Sequence, residues 1–190
     1  VGLLLEGIAE ATRALAAHQA TPSTIKKAMR ILQDATQVDR VCLRFDGAPC
    51  DDEEENQHFW CVGEETAVAP LPIADRWQKR LAKGECVQVT ASSLPEAERG
   101  SLAELGIESV LLVPLMTGEE VCRGVMQFDD FGKPRVWETI EHAALHSAAN
   151  AFSAALAHRE AQQALVSSEE RYRRLVENSP DVVYRMRLPE

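Results

Sequence analysis

Two long apolar segments joined by a short turn set the strongest limit on what this chain can fold into. Residues 107–117 are almost continuously apolar, Gly118-Glu119-Glu120 makes a turn, and Val121 to Asp129 returns as VCRGVMQFD. Two such runs around a glycine turn predict a central β-hairpin. Strands apolar on both faces need a covering layer on each side, so helices must lie above and below the sheet that contains them.

The rest of the chain supplies those layers. Residues 3–19 carry Leu4, Ile8, Ala11, Leu15 and Ala16 at helical spacing. Thr21-Pro22-Ser23 is a helix start, a hydroxyl cap followed by proline at the first helical position. The second helix, to about Thr36, sets Ile25, Ala28, Met29 and Leu32 on one stripe. Residues 39–46 then alternate, with Val41, Leu43 and Phe45 on one face, and His58 to Val62 form a second strand. The acidic run Asp51 to Glu55 between them is expected to be the hairpin loop. A short helix spans Ala74 to Lys83, stopped at Gly84, and Cys86 to Val89 is a short strand. Leu94-Pro95 opens another helix that closes at Gly106.

From Trp137 a helical pattern runs without Pro or Gly to Pro180, about 40 residues, where a mean helix has about 12. Its first part is small and apolar, with a stripe of Ala144, Ser147, Ala148, Ala151 and Ala155. That stripe suits either close approach of a partner helix or packing on the domain's own sheet. Its second part, His158 to Glu177, is largely polar, with sparse apolar positions at Leu165, Tyr172, Leu175 and Val176. A mostly polar helix bridges domains or pairs with a partner helix. The fold class expected is α+β, an α/β/α sandwich. Its central antiparallel sheet has five to six strands, helices cover both faces, and a long C-terminal helix follows.

Composition excludes several functions. A formal net charge of −10 disfavours nucleic-acid partners, whose phosphates attract clustered Lys and Arg. No apolar run approaches the roughly 20 residues that span a bilayer, so no membrane contact is expected within this stretch. The N-terminus lacks a signal-peptide pattern. Five cysteines, at positions 42, 50, 61, 86 and 122, show no CxxC spacing. Such a scattered, odd set suggests reduced thiols and a cytoplasmic setting.

The order of elements, SVLLVPLMTGEEVCRGVMQFDD at 109–130 and RVWETIEHAALHSAANAFSAALAHRE at 135–160 together resemble a GAF domain. The resemblance is strongest to GAF domains of bacterial multidomain sensors of the histidine kinase or diguanylate cyclase type. It is carried by Ser109 to Leu115, Gly124 to Asp130, Arg135, Trp137 and Glu141, with earlier matches at Asp39-Arg40-Val41, Trp60 and Trp77 to Gly84, and covers roughly residues 3–160. RYRRLVENSPDVVYR, near the end, resembles the entry of a PAS domain. The resemblance therefore implies a sensory domain over 1–157, a helical signalling linker over 158–178 and the start of a PAS-like domain over 179–190. It departs from the sensor pattern at Gln127, where a small residue is usual, near Cys42, where an aromatic is usual, and at Phe59, where Glu precedes Trp60.

No catalytic residue is expected, since no phosphate loop, HExxH or GxSxG occurs. His142 and His146 lie four apart on one helix, with Glu138 four before. That spacing can hold a metal, but no third ligand is evident, which favours a solvated or partner-facing helix and no metal site. No cysteine is followed by His, as in the bilin-attaching GAF pattern, and Phe128-Asp129-Asp130 does not reproduce the cyclic-nucleotide one. His158-Arg159-Glu160 lacks the continuation of a phospho-accepting helix. Candidate ligand-binding residues are Cys42, Arg44, Trp60, Trp77 and Gln127; Arg44 suits an anionic ligand if it points under the helical roof, and the alternative is that it faces solvent near a sheet edge. No cofactor can be named. The function expected is a sensory module that relays binding of a small molecule or partner through a dimeric helix to a PAS and output domain; a ligand-free dimerisation spacer is the alternative. Homodimerisation is expected through the N-terminal helices and the long C-terminal helix.

Overall fold

The structure is a computed structural model that describes residues 2–17, 20–46, 57–63, 71–118 and 121–177. Helices α1 (Gly2–Ala17) and α2 (Pro22–Thr36) lead into strands β1 (Arg40–Asp46) and β2 (Gln57–Gly63). Then come α3 (Asp75–Leu81), β3 (Val87–Thr90), α4 (Glu96–Glu104), the hairpin strands β4 (Ser109–Met116) and β5 (Cys122–Asp130), and α5 (Thr139–Glu177). The five strands form one sheet in the order β2-β1-β5-β4-β3, and every neighbouring pair is antiparallel. The central position of β5 and β4 is the one their apolar sequences call for. The acidic run 51–55 and the expected strand after Pro180 lie outside the described residues.

The pleat sorts side chains into two cores. Val41, Leu43 and Phe45 of β1, Leu111, Val113 and Leu115 of β4 and Met126 and Phe128 of β5 pack against α1, α2 and α5. Val87 and Val89 of β3, Val110 and Leu112 of β4 and Val125 of β5 pack against Trp77, Leu81, Leu94 and Leu102 of the α3/α4 layer. The outer helices thus cover one face and the short middle helices the other.

Local signals explain the boundaries. Thr21 Oγ1 accepts a hydrogen bond from the Thr24 amide at 3.2 Å, and Pro22 opens α2. At Gly124 the β1 and β5 backbones approach so closely that a Cβ would strike the Arg44 carbonyl. This glycine serves backbone contact between strands, not a turn.

Helix α5 runs 39 residues and has two regimes. Leu145, Ala148, Ala149, Phe152, Ser153 and Leu156 are buried on the domain, whereas residues 161–176 are exposed throughout. The small-residue stripe divides accordingly. Ala148 is buried and Ala144 and Ala155 pack against the domain's own core, while Ser147 faces out.

The start of α5 is clamped to three elements. The Arg135 guanidinium lies 3.7 Å from the Trp137 ring centroid, pairs with Glu141 at 3.1 Å and donates to the Thr36 carbonyl at the end of α2. Gln88 Oε1 on β3 accepts from the Trp137 amide at 2.9 Å and lies 3.1 Å from His142 Nε2. His146 Nε2 lies 3.2 Å from the Gly84 carbonyl. His142 and His146 are therefore half-buried against the β3 edge.

Candidate functional site

The face of the sheet under α3 and α4 carries the polar residues. Strand β1 contributes Arg40, Cys42 and Arg44 at alternate positions, and β5 contributes Val125, Gln127 and Asp129 opposite them, with Arg40 in register with Asp129 and Cys42 with Gln127. Arg40 Nε donates to Asp129 Oδ2 at 2.8 Å, and Gln127 Nε2 donates to both Asp129 oxygens at 2.8 and 2.9 Å. The Arg40 guanidinium also stands 5.0 Å from the Phe131 ring centroid. Arg40 is 2% exposed and Asp129 is fully buried. Burial pushes the Asp129 carboxyl above its ordinary pKa, against the pull of Arg40 and the Gln127 hydrogen bond. A buried pair of this kind is tolerated because the two charges are matched across the Arg40 Nε–Asp129 Oδ2 hydrogen bond.

Next to that network Cys42, Arg44, Phe59, Leu71, Val125 and Gln127 line a cavity of about 10 Å³, space for at most one water. Arg44 is half-buried there, and among the described residues it has no hydrogen-bond or ion-pair partner. A second, open groove of about 230 Å³ runs between α3 and β3, lined by Arg76, Trp77, Arg80, Gln88 and Ser93 among others. Arg80 is already engaged there, with Glu85 at 2.9 Å and the Cys86 carbonyl at 3.0 Å.

The candidate ligand residues thus separate. Cys42, Arg44 and Gln127 meet at one cavity. Trp77, 5% exposed, borders the neighbouring groove as part of the roof. Trp60 pairs with Leu43 and faces the α1/α2/α5 core. The period-two pleat puts Phe59 and Cys61 on the cavity side instead, and a one-residue ambiguity in facing is enough to invert the assignment.

The expectation of reduced thiols also needs correction. Cys42 and Cys61 are joined in a disulfide, with Cα atoms 4.2 Å apart. They sit directly opposite each other in the β1/β2 register, a proximity that their 19-residue separation conceals. Cys86 and Cys122 are free and half-buried. Burial raises the Cys86 thiol pKa, and the Cys122 thiol donates to the Gly124 carbonyl at 3.2 Å.

With this architecture in place, the GAF domain family model matches residues 21–156. The chain belongs to the GAF domain family. Among relatives, this GAF domain is 26% identical over 163 residues to the methanogenesis regulatory histidine kinase FilI of Methanothrix harundinacea, with 80% of the chain aligned. It spans only 18% of that protein's length. Among solved structures it superposes on the phycoerythrobilin-bound GAF domain of a cyanobacterial phytochrome with a TM-score of 0.65 at 13% identity, covering 83% of this chain and 98% of that one. It also superposes on a GAF domain assigned to a sensor histidine kinase of Pseudomonas syringae pv. tomato, with a TM-score of 0.59 at 16% identity over 86% and 93% of the two chains. These structural likenesses establish the fold.

Asp129, Phe59, Cys61 and Gln88 were not identified as site residues from sequence. A signal existed for Asp129, a charged residue at the end of an otherwise apolar central strand. None existed for Gln88, whose role depends on where α5 begins. Among the described residues no helix is long and apolar enough to cross a membrane.

Proposed function

We propose that this GAF domain is the sensory module of a multidomain signal-transduction protein, and that α5 carries its state, in a homodimer, to a downstream PAS domain and output domain. The carrying observation is the division of α5. Its first half packs on the sheet and on α1, and from residue 161 to 176 every side chain is exposed. Leu165, Tyr172 and Leu175 are 61%, 71% and 66% exposed. Their spacing of seven and three is that of a coiled-coil seam, and Leu3 and Leu5 of α1 are exposed as well.

The relationship to FilI favours a histidine kinase output over a diguanylate cyclase. A cytoplasmic location goes with that output. The test is sedimentation equilibrium of the chain and of Leu165→Glu. A dimer that Leu165→Glu splits supports the reading, and a monomer at tens of micromolar counts against it.

A second reading, a ligand-free dimerisation spacer, draws support from the cavity beside Arg44, which among the described residues measures about 10 Å³. Native mass spectrometry separates the two: an added mass retained on the folded chain favours ligand sensing, and a bare chain favours the spacer.

A further inference from the structure

We propose that Cys42 and Cys61 form a redox-exchange site, opened by a dithiol reductant through Cys61 and closed again by a disulfide oxidant. Four observations point to it. First, the two cysteines are direct partners in a seven-pair antiparallel ladder running from Arg40↔Gly63 to Asp46↔Gln57. The ladder keeps the sulfurs opposite each other whether or not they are bonded, so the bond can break and re-form within the folded sheet.

Second, the pair is asymmetric. Cys61 is partly exposed on β2, which is the edge strand, while Cys42 is 3% exposed in the interior. Cys61 is thus the more accessible partner for an incoming thiolate, whose attack there would expel Cys42. Third, the leaving sulfur belongs to a cavity lined also by Arg44 and Gln127. Arg44 has no ion-pair or hydrogen-bond partner among the described residues. A guanidinium beside a nascent thiolate lowers the thiol pKa and makes it a better leaving group.

Fourth, Cys86 and Cys122 stay free. In reducing compartments the few disulfides that form are mostly exchanging or sensing ones. This last argument alone rests on the cytoplasmic placement proposed above.

The chemistry balances as ordinary thiol–disulfide exchange. One thiolate of a thioredoxin-class or small dithiol attacks Cys61 Sγ. A mixed disulfide forms, the Cys42–Cys61 bond breaks, and the electron pair leaves on Cys42 as thiolate. The reductant's second thiolate then attacks its own sulfur in the mixed disulfide and releases Cys61 thiolate. The reductant ends as a disulfide and the protein has gained two electrons. A disulfide oxidant runs the same steps backwards. Opening the bond removes the Cys42–Cys61 crosslink between edge strand β2 and β1 and frees the wall of the cavity beside Arg44.

The test equilibrates the full chain in graded mixtures of reduced and oxidised dithiothreitol without denaturant, followed by acid quench, maleimide labelling and intact mass. Of five cysteines, three should label in the oxidised protein and five in the reduced one. Peptide mapping should assign the gained labels to Cys42 and Cys61, with the far-UV circular dichroism unchanged. In a time course of label gain at one fixed concentration of reduced dithiothreitol, Arg44→Met should slow reduction at least about tenfold. Resistance to reduction until the chain is unfolded would overturn the proposal in favour of a structural staple. Five labels in every mixture would show that no pair forms, and an unchanged rate in Arg44→Met would remove Arg44 from the mechanism. A monomer in the sedimentation test would sink the dimeric relay and leave this thiol count intact.

Discussion

Arg123 at the start of β5 and Glu160 on α5 form a two-pronged ion pair, with Nη1 to Oε2 at 3.0 Å and Nη2 to Oε1 at 3.4 Å. The same guanidinium donates to the Asp46 carbonyl at 2.8 Å and lies 4.9 Å from the Phe45 ring centroid. Beyond Glu160 every described side chain of α5 is exposed. This pair is therefore the last side-chain hold of the sheet on the helix before it leaves. Glu160→Gln should lower stability by only about 1 kcal/mol, because both groups are partly solvated. Its larger effect should be on amide exchange, which should speed up in α5 after about residue 152 and stay unchanged in β4.

The Arg40–Asp129 pair should behave oppositely. Asp129→Ala leaves a guanidinium that is 2% exposed without its carboxylate, and should cost roughly 3–5 kcal/mol in urea unfolding. Arg40→Met combined with Asp129→Leu should recover part of that loss, because no unpaired charge remains, although the buried Gln127 amide loses its two acceptors. A double variant as unstable as Asp129→Ala would show that the network serves more than charge matching.

His142 sets a pH dependence whose sign is fixed by its surroundings. Burial against β3 holds its pKa below 6.5, opposed by Glu141. The fold keeps the ring neutral, with Nε2–H placed to donate to Gln88 Oε1. Its contribution is complete above the unfolded-state value and is lost as pH falls through the lower folded-state value. Urea midpoints should therefore drop between about pH 7 and 5. His142→Gln should flatten that slope, and an unchanged slope would place its origin elsewhere.

The disulfide closes a loop defined by a 19-residue separation. By chain entropy that crosslink stabilises by about 3 kcal/mol. Cys61→Ser should lower the urea midpoint correspondingly, and the difference should vanish when both proteins are compared in reductant.

Much of this architecture was legible because it rests on periodicity. The apolar runs around Gly118 place β4 and β5 inside the sheet, and the stripes on α1 and α2 assign their faces. The Thr21-Pro22 start and the closing glycines gave boundaries within a residue or two. What stayed hidden depends on register. Whether Trp60 or its neighbours Phe59 and Cys61 face the cavity turns on a single step of the pleat. Cys42 and Cys61 become partners only once β1 and β2 pair. From sequence the two histidines of α5 suit a solvated or partner-facing helix, because nothing there brings Gln88 or Gly84 beneath them. The neat stripe of small residues on α5 also proved ambiguous for a physical reason, since close approach to a sheet and to a partner helix demand the same side chains.

The central claim is that α5 transmits the state of the domain within a homodimer. Its most direct test is the pulsed-EPR distance between nitroxides at exposed Ser168 in the two copies, introduced through a genetically encoded handle to spare the cysteines. The account predicts a defined inter-copy distance that shifts or broadens when Glu160→Gln releases α5 from the sheet. No inter-copy signal, or one distribution common to both proteins, would contradict it.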